Sequence, residues 1–239
     1  MSLYDNSLSK TAMPSHGFYQ LFYGCNSLTD ASNLILPATT LATSCYEGMF
    51  YTCTYLEKAP ELPATTLAKN CYAYMFYGCT RLETPPQILP AMTLAISCYD
   101  YMFADCRNLA VAPELPATTL ASYCYEYMFS GSGLCTAPKL PATELAEYCY
   151  FGMFQKCKFT TAPDLPAKDL ELDCYTEMFY GCHNLNSIKA VFTTEPSDTY
   201  TRNWLSGVAS TGTFVKSKDA TWNVTGVNGV PEGWTVTTE

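Results

Sequence analysis

Charged side chains are scarce in this chain of 239 residues, at 15% against the usual quarter of a globular protein. Positive charge is the scarcer kind, because 13 Lys and Arg stand against 22 Asp and Glu, for a formal net charge of −9. This balance argues against nucleic acid and against anionic membrane surfaces as partners. Tyr, Thr and Ser fill the polar surface instead, which favours an extracellular or cell-surface protein over a cytosolic enzyme.

Long hydrophobic runs are also missing, since no stretch reaches the roughly 20 apolar residues of a membrane-spanning helix. Residues 1–10 lack the basic start and the apolar centre of a signal peptide. The sequence therefore predicts neither a membrane span nor an export signal within this stretch of chain.

Recognisable catalytic motifs are absent as well. The sequence contains no glycine-rich phosphate loop, no nucleophile elbow and no H-E-x-x-H. Its two histidines, His16 and His183, stand without a partner constellation, and no C-x2-C pair offers zinc ligands. We therefore predict a protein that is not an enzyme, with no catalytic residues, no cofactor and no metal site.

What the chain does contain is one line of sequence written six times. Leu-Pro-Ala is followed nine residues after its leucine by Cys-Tyr, and Met-Phe comes four residues after that cysteine. Successive Cys-Tyr pairs are separated by 26, 27, 26, 25 and 25 residues, counted between Cys45, Cys71, Cys98, Cys124, Cys149 and Cys174. Self-similarity at such a period is typical of a solenoid, in which each unit forms one coil.

The pattern within one unit predicts the shape of its coil. On a helical wheel, most apolar residues from Leu41 to Cys53 fall on one broad side, which predicts an amphipathic helix. The proline-rich stretch that starts at Leu56 is too short for a helix and predicts a short extended segment. We therefore expect an α/β repeat solenoid. It would be a right-handed coil of the leucine-rich-repeat type, with short parallel strands on one face and short helices on the other.

The thirteen cysteines admit three interpretations. We favour buried, reduced thiols that act as small hydrophobic side chains. A helix would place the two cysteines of a unit, such as Cys45 and Cys53, about 12 Å apart, too far for a disulfide. Some bridges between neighbouring coils, or a metal site, remain open as alternatives. Cys135 lies in a variable position and is the best candidate for an exposed thiol.

The unit L-P-A-x-x-L-A-x-x-C-Y-x-x-M-F-x-x-C-x-x-L resembles the BspA-like leucine-rich repeats of surface proteins from Bacteroides and related gut bacteria. Gly17 and Ser132 depart from it, each standing where the unit has a cysteine. The resemblance implies a non-enzymatic protein of the cell surface or a secreted one, with adhesion to host or bacterial proteins as its role. It transfers no binding site, because contact residues in such repeats lie at variable positions.

The repeats divide the chain into two regions. Residues 1–186 form the predicted solenoid, with a partial first repeat at about 17–35 followed by six repeats. Because the chain opens inside a unit, we expect a fragment of a longer protein with its export signal upstream. Residues 187–239 are predicted to be two degenerate capping coils. They contain strand candidates at 188–192, 212–216 and 233–237 and a short helix candidate at 203–209, and we expect their three tryptophans to fill the end of the core.

The candidate interaction surface consists of residues that the repeat leaves free. One set forms a predicted column along the extended segments, and the other is a group of outward-facing tyrosines: Glu61, Gln87, Glu114, Lys139 and Asp164, with Tyr77, Tyr101, Tyr123 and Tyr148. The predicted function is an interaction or adhesion scaffold that binds a host or bacterial surface protein, or a glycan, through a broad face of the solenoid. The alternative is a structural spacer that presents another domain of a longer surface protein.

Overall fold

The computed structural model describes residues 13–239. It contains three strands, β1 (Ser187–Ala190), β2 (Thr213–Lys216) and β3 (Thr235–Thr238), and none of the described residues is helical. The predicted α/β solenoid with helices on one face is therefore wrong. The segments expected to be helical are chains of hydrogen-bonded turns instead.

We call these segments turn ribbons, and their hydrogen bonds show why they are not helices. From residue 44 to 53, successive N–H groups alternate between two acceptors. Met49 N donates to Tyr46 O three residues back (3.2 Å), whereas Gly48 N donates to Ala73 O in the next coil (2.8 Å). An α-helix would direct every N–H four residues back along its own segment. Equivalent ribbons occupy residues 14–25, 42–53, 68–79, 95–106, 121–132, 146–157 and 171–182.

Every fourth residue of a ribbon has a left-handed backbone. In the ribbon 42–53 these residues are Ser44, Gly48 and Thr52, with φ of 52°, 60° and 53°. The conformation costs an ordinary L-residue roughly 1–2 kcal/mol. Each hydrogen bond from a ribbon N–H to the next coil contributes about 0.5–1.5 kcal/mol, which offsets the cost of the left-handed backbone. Buried residues recur with the same four-residue period. A helical wheel of 3.6 residues per turn cannot distinguish this pattern from that of an amphipathic helix.

The connecting segments between ribbons are paired much less regularly. Parallel bridges join neighbouring coils at single positions, such as Asp30 with Lys58 and Lys58 with Thr84. Prolines within these segments remove donors that a continuous ladder would need. Regular pairing begins only at the C-terminal end, where β1, β2 and β3 form a parallel sheet with Ser187 opposite Thr213 and Thr213 opposite Thr235.

The C-terminal region continues the stack. The three strands overlap the strand candidates, but residues 202–207 form turns, and the helix expected at 203–209 is absent. Glu177 N donates to Arg202 O (2.9 Å) and Phe179 N to Trp204 O (3.0 Å), as between earlier ribbons. Trp204 is completely buried, and the other two tryptophans are also buried, as expected for residues that fill the end of the core. The indole N–H of Trp204 donates to Gly229 O at 3.0 Å.

The core consists of stacked columns of identical side chains. Phe76 lies between Phe50 and Phe103, with ring centroids 5.3 Å away on both sides and nearly parallel planes. A second column joins the tyrosines that follow the first cysteine of each unit, for instance Tyr46 and Tyr72 at 5.6 Å. The fixed letters of the repeat are therefore the residues that hold one coil on the next.

All thirteen cysteines are unpaired, and Cys135 is exposed, as the sequence predicted. The second cysteine of a unit reaches the previous coil, since Cys79 Sγ donates to Phe50 O at 3.1 Å and Cys182 Sγ to Phe154 O at 3.0 Å. Burial raises the pKa of Cys45 to about 11 and that of Cys71 to about 12. These thiols stay protonated at neutral pH and serve packing rather than nucleophilic chemistry.

Candidate interaction surface

The predicted column along the connecting segments does not form a uniform stripe. All five of its members are exposed. The parallel bridge places Ile88 opposite Glu114, so the predicted alignment of Gln87 with Glu114 is wrong by one residue, because the longer connecting segment shifts the register. Gln87 N instead donates to the Glu61 carboxylate at 3.3 Å.

The other two members of the column have separate surroundings. Lys139 lines a groove of about 460 Å³ with Glu114 and several prolines. Exposed Asp164 lies 3.9 Å from the half-buried Lys189. The column is therefore a set of local contacts and gives no continuous charged surface.

The predicted tyrosines, by contrast, belong to a connected surface on the turn ribbons. Tyr77 stacks on Tyr51 at 4.8 Å, and Tyr101 stacks on Tyr74 at 5.1 Å. A tilted contact of 6.2 Å joins Tyr77 to Tyr101. We call this surface the tyrosine face and define it by six residues: Tyr23, Tyr51, Tyr74, Tyr77, Tyr101 and Tyr127. Two further predicted residues, Tyr123 and Tyr148, stack at 4.6 Å on the same ribbons.

The left-handed backbone explains why these rings lie where they do. Tyr74, Tyr101 and Tyr127 occupy the same left-handed position of successive ribbons, with φ of 56°, 50° and 47°. This places three rings in register along the stack and leaves them half-buried. Each stacked pair contributes about 0.5–1.5 kcal/mol beyond burial, which helps to offset the backbone cost.

A glycine bounds this ladder of three tyrosines at each end. Gly152 occupies the position after Tyr127, and a Cβ there would collide with the Tyr127 ring. Gly48 occupies the position before Tyr74, where the side chain of Gln20 approaches from the preceding coil. A recess of about 320 Å³ lies over Gly48, and we call it the Gly48 recess. Its lining consists of Gln20, Tyr23, Glu47, Gly48, Tyr51 and Tyr74.

Carboxylates accompany the tyrosine face, and the sequence-based prediction missed them. Glu47, Asp100 and Glu126 each stand two residues after the first cysteine of a unit, and this shared spacing was the available signal. None of the three forms an ion pair with Lys or Arg within residues 13–239. These side chains therefore lie beside the tyrosine face without a cationic partner among the described residues.

Asp100 is the most perturbed of these groups. Burial raises its pKa to about 8, with further contributions from the negative charge of Glu126 and Glu47 and an opposing hydrogen bond from Tyr74. Its Oδ1 atom is buried without a hydrogen-bond partner. Burial also raises the pKa of Glu126. At the far end of the ladder, Glu177 accepts hydrogen bonds from Gln155 Nε2 (2.7 Å) and the Tyr127 hydroxyl (3.4 Å).

The described residues contain neither a metal-binding cluster nor a membrane-spanning helix. No group of three or more His, Cys, Asp or Glu side chains there is arranged to hold a metal ion. Residues 13–239 likewise contain no helix that could cross a membrane. What the surface offers is a row of aromatic rings edged by carboxylates.

Comparison with known proteins yields one weak likeness. No family model and no curated protein matches the sequence. Among solved structures, the chain is similar to a leucine-rich repeat protein from Bacteroides ovatus ATCC 8483, with 17% sequence identity and a TM-score of 0.38. The match covers 86% of this chain and 58% of the other, so this chain spans less than two thirds of that protein. The likeness is too weak to assign a family or a function.

Proposed function

We propose that this protein is a non-enzymatic interaction scaffold of the BspA-like type, secreted or held at a bacterial cell surface, which binds a host or bacterial protein or a glycan. The observation that supports this most is the tyrosine face. Its rings run continuously over neighbouring coils, with Tyr23 exposed and the other five half-buried. Tyrosine supplies large contact area at little conformational cost, and it is enriched where protein surfaces bind partners.

The location and the lack of catalysis are parts of the same proposal. The low content of charged residues favours an extracellular surface. Burial and raised pKa values protect most of the unpaired thiols from oxidation, so an oxidising environment is compatible with a reduced core. The same raised pKa values make these thiols poor nucleophiles, which supports a binding role over a catalytic one.

Binding to panels of host matrix proteins and to a glycan array tests the proposal. A ligand that uses the tyrosine face should lose at least about tenfold in affinity when Tyr77 and Tyr101 are both replaced by alanine. Tyr180→Ala is the matched control, because Tyr180 is 40% exposed on a ribbon but lies outside the tyrosine face. Absence of binding on both panels would contradict the proposal and favour the spacer alternative.

A further inference from the structure

The Gly48 recess differs from the opposite end of the tyrosine ladder. At Gly152 the ring of Tyr127 fills the space above the glycine. At Gly48 the ladder stops at Tyr74, whose ring stacks on Tyr101 on one side (5.1 Å, planes 9° apart). On its other side the position is held by a glycine, so that face of the Tyr74 ring borders the recess. One glycine is thus covered by an aromatic ring, and the other by the flexible amide side chain of Gln20.

Further aromatic surface surrounds the recess. Tyr23 and Tyr51 stack with centroids 5.2 Å apart and planes 7° apart, and both line it. The ring of Tyr51 is tilted by 43° from that of Tyr74 at 6.3 Å. Tyr51 lies between Tyr23 and Tyr77, so both of its faces are covered, whereas Tyr74 has one face on which no ring of the described residues stacks. A recess of about 320 Å³ is large enough for one extended side chain but too small for a folded element.

Electrostatics selects the kind of group that suits this volume. Glu47 lines the recess, and Asp100 and Glu126 follow it at the equivalent position of later ribbons. No Lys or Arg pairs with any of them in the part of the chain that is described. Tyrosine faces attract cations through their ring quadrupole. A cationic group would satisfy both the Tyr74 ring and the Glu47 carboxylate, whereas a neutral sugar would satisfy only the ring.

We propose that the Gly48 recess binds the cationic side chain of a lysine or arginine from a basic peptide segment. This inference rests on the proposed scaffold function and names the chemistry of its ligand. The ammonium or guanidinium group pairs with the Glu47 carboxylate. The face of Tyr74 that no ring covers contacts its charge and its methylene stem, and the Gln20 amide supplies a hydrogen-bonding group at the rim.

Fluorescence anisotropy with a fluorescein-labelled hexa-arginine peptide tests this site on the full chain. Glu47→Gln preserves shape and removes one charge, so affinity should fall about two- to fivefold. Tyr74→Leu removes the uncovered aromatic face and should produce a loss of similar size. Binding should also weaken as salt is raised from 0.05 to 0.5 M, because exposed charges are screened.

Matched controls separate this site from general attraction to an acidic protein. Glu61→Gln removes the same charge from a connecting segment, and Tyr180→Leu removes an exposed tyrosine from a ribbon outside the tyrosine face. Both should leave affinity unchanged. Equal losses in the Glu47 and Glu61 variants, or no loss in the Tyr74 variant with its fold intact by circular dichroism, would overturn the proposal.

Parallel measurements with labelled hexaglutamate and maltohexaose distinguish the two levels of inference. We expect neither to compete for the recess. If hexa-arginine fails to bind while a protein or neutral glycan binds elsewhere on the chain, the cation site is wrong and the scaffold function stands. If no ligand of any class binds, both are wrong.

Discussion

The turn ribbon 121–132 and the segment 133–145 belong to the same coil but are held in different ways. In the ribbon, alternate N–H groups donate to the next coil, such as Tyr127 N to Phe151 O at 2.8 Å. In the segment, no backbone N–H from residue 136 to 145 donates a hydrogen bond. Ribbons are thus built from repeated letters and fixed geometry, whereas connecting segments vary in sequence, length and pairing. The ribbons therefore hold the coils together, whereas the connecting segments are free to change.

The largest expected effect comes from the phenylalanine column. Phe103 is completely buried between Phe76 and Phe129, at 5.3 and 5.6 Å. Phe103→Ala should lower the free energy of unfolding by about 3–5 kcal/mol, because it removes packing and leaves a cavity. Val111→Ala on the connecting side should change it by less than about 0.5 kcal/mol, since Val111 is 61% exposed. Urea denaturation of both variants measures the contrast, and similar losses would contradict it.

Next in size is the effect of Asp100 on pH dependence. The pKa of Asp100 is raised from 3.8 to about 8, so the folded state keeps a proton that the unfolded state releases. Its contribution to stability is therefore present at low pH and is lost as pH rises from about 4 to 8. Asp100→Asn should remove this loss. The change in the free energy of unfolding from pH 5 to pH 8 should therefore be about 2–4 kcal/mol more favourable in the variant than in the wild type.

Denaturation curves at pH 5 and pH 8 measure that effect. Glu61→Gln is the control, because Glu61 is exposed on a connecting segment and its charge change should leave the pH profile nearly unaltered. A wild type whose stability is flat over this window would show that Asp100 is not perturbed in the way described.

A smaller effect tests the left-handed positions directly. Ser97 has φ of 51°, so Ser97→Gly relieves backbone strain and should stabilise the protein by a few tenths to about 1 kcal/mol. Ser130 is on a ribbon too but is not left-handed, and Ser130→Gly should destabilise by about 0.5–1 kcal/mol. Opposite signs in thermal or urea denaturation support the four-residue period, and equal signs argue against it.

The smallest expected effect on stability comes from thiol labelling. The labelling rates should nevertheless differ between the connecting segments and the turn ribbons. Cys135 is exposed on a connecting segment, Cys25 is partly exposed, and the remaining eleven are buried. With a maleimide reagent at pH 7, we expect rapid modification of Cys135, slower modification of Cys25, and the rest only after unfolding. Mass spectrometry of digested, labelled protein locates the modified residues. Early labelling of Cys79 or Cys106 would show that the ribbons open.

The sequence was sufficient to predict which repeated residues are buried and which thiol is exposed, because both follow from which residues recur. It was misleading about the backbone. Cys45, Tyr46, Met49 and Phe50 are buried with a four-residue period, and over twelve residues that period matches a helix as well as a chain of turns. The glycines at positions 48, 78 and 152 were the clue to the left-handed backbone, but tyrosine, serine and asparagine occupy equivalent positions in other ribbons.

The candidate surface was predictable only in part. Exposed tyrosines were expected, and Tyr77 and Tyr101 do belong to the tyrosine face. The carboxylates beside them were not expected, since a helix would have separated Glu47, Asp100 and Glu126 from a ring ladder that depends on left-handed residues. Register in the connecting segments was also beyond the sequence. An added residue there moved Ile88 into the place predicted for Gln87.

The central claim is that hydrogen bonds of the ribbons run between coils instead of along helices. Scalar couplings across hydrogen bonds, measured by NMR on labelled protein, test it at Gly48. The account predicts a coupling from Gly48 N to the carbonyl carbon of Ala73, whose oxygen lies 2.8 Å away. A coupling from Gly48 N to the carbonyl carbon of Ser44 would instead show an α-helix and contradict the account.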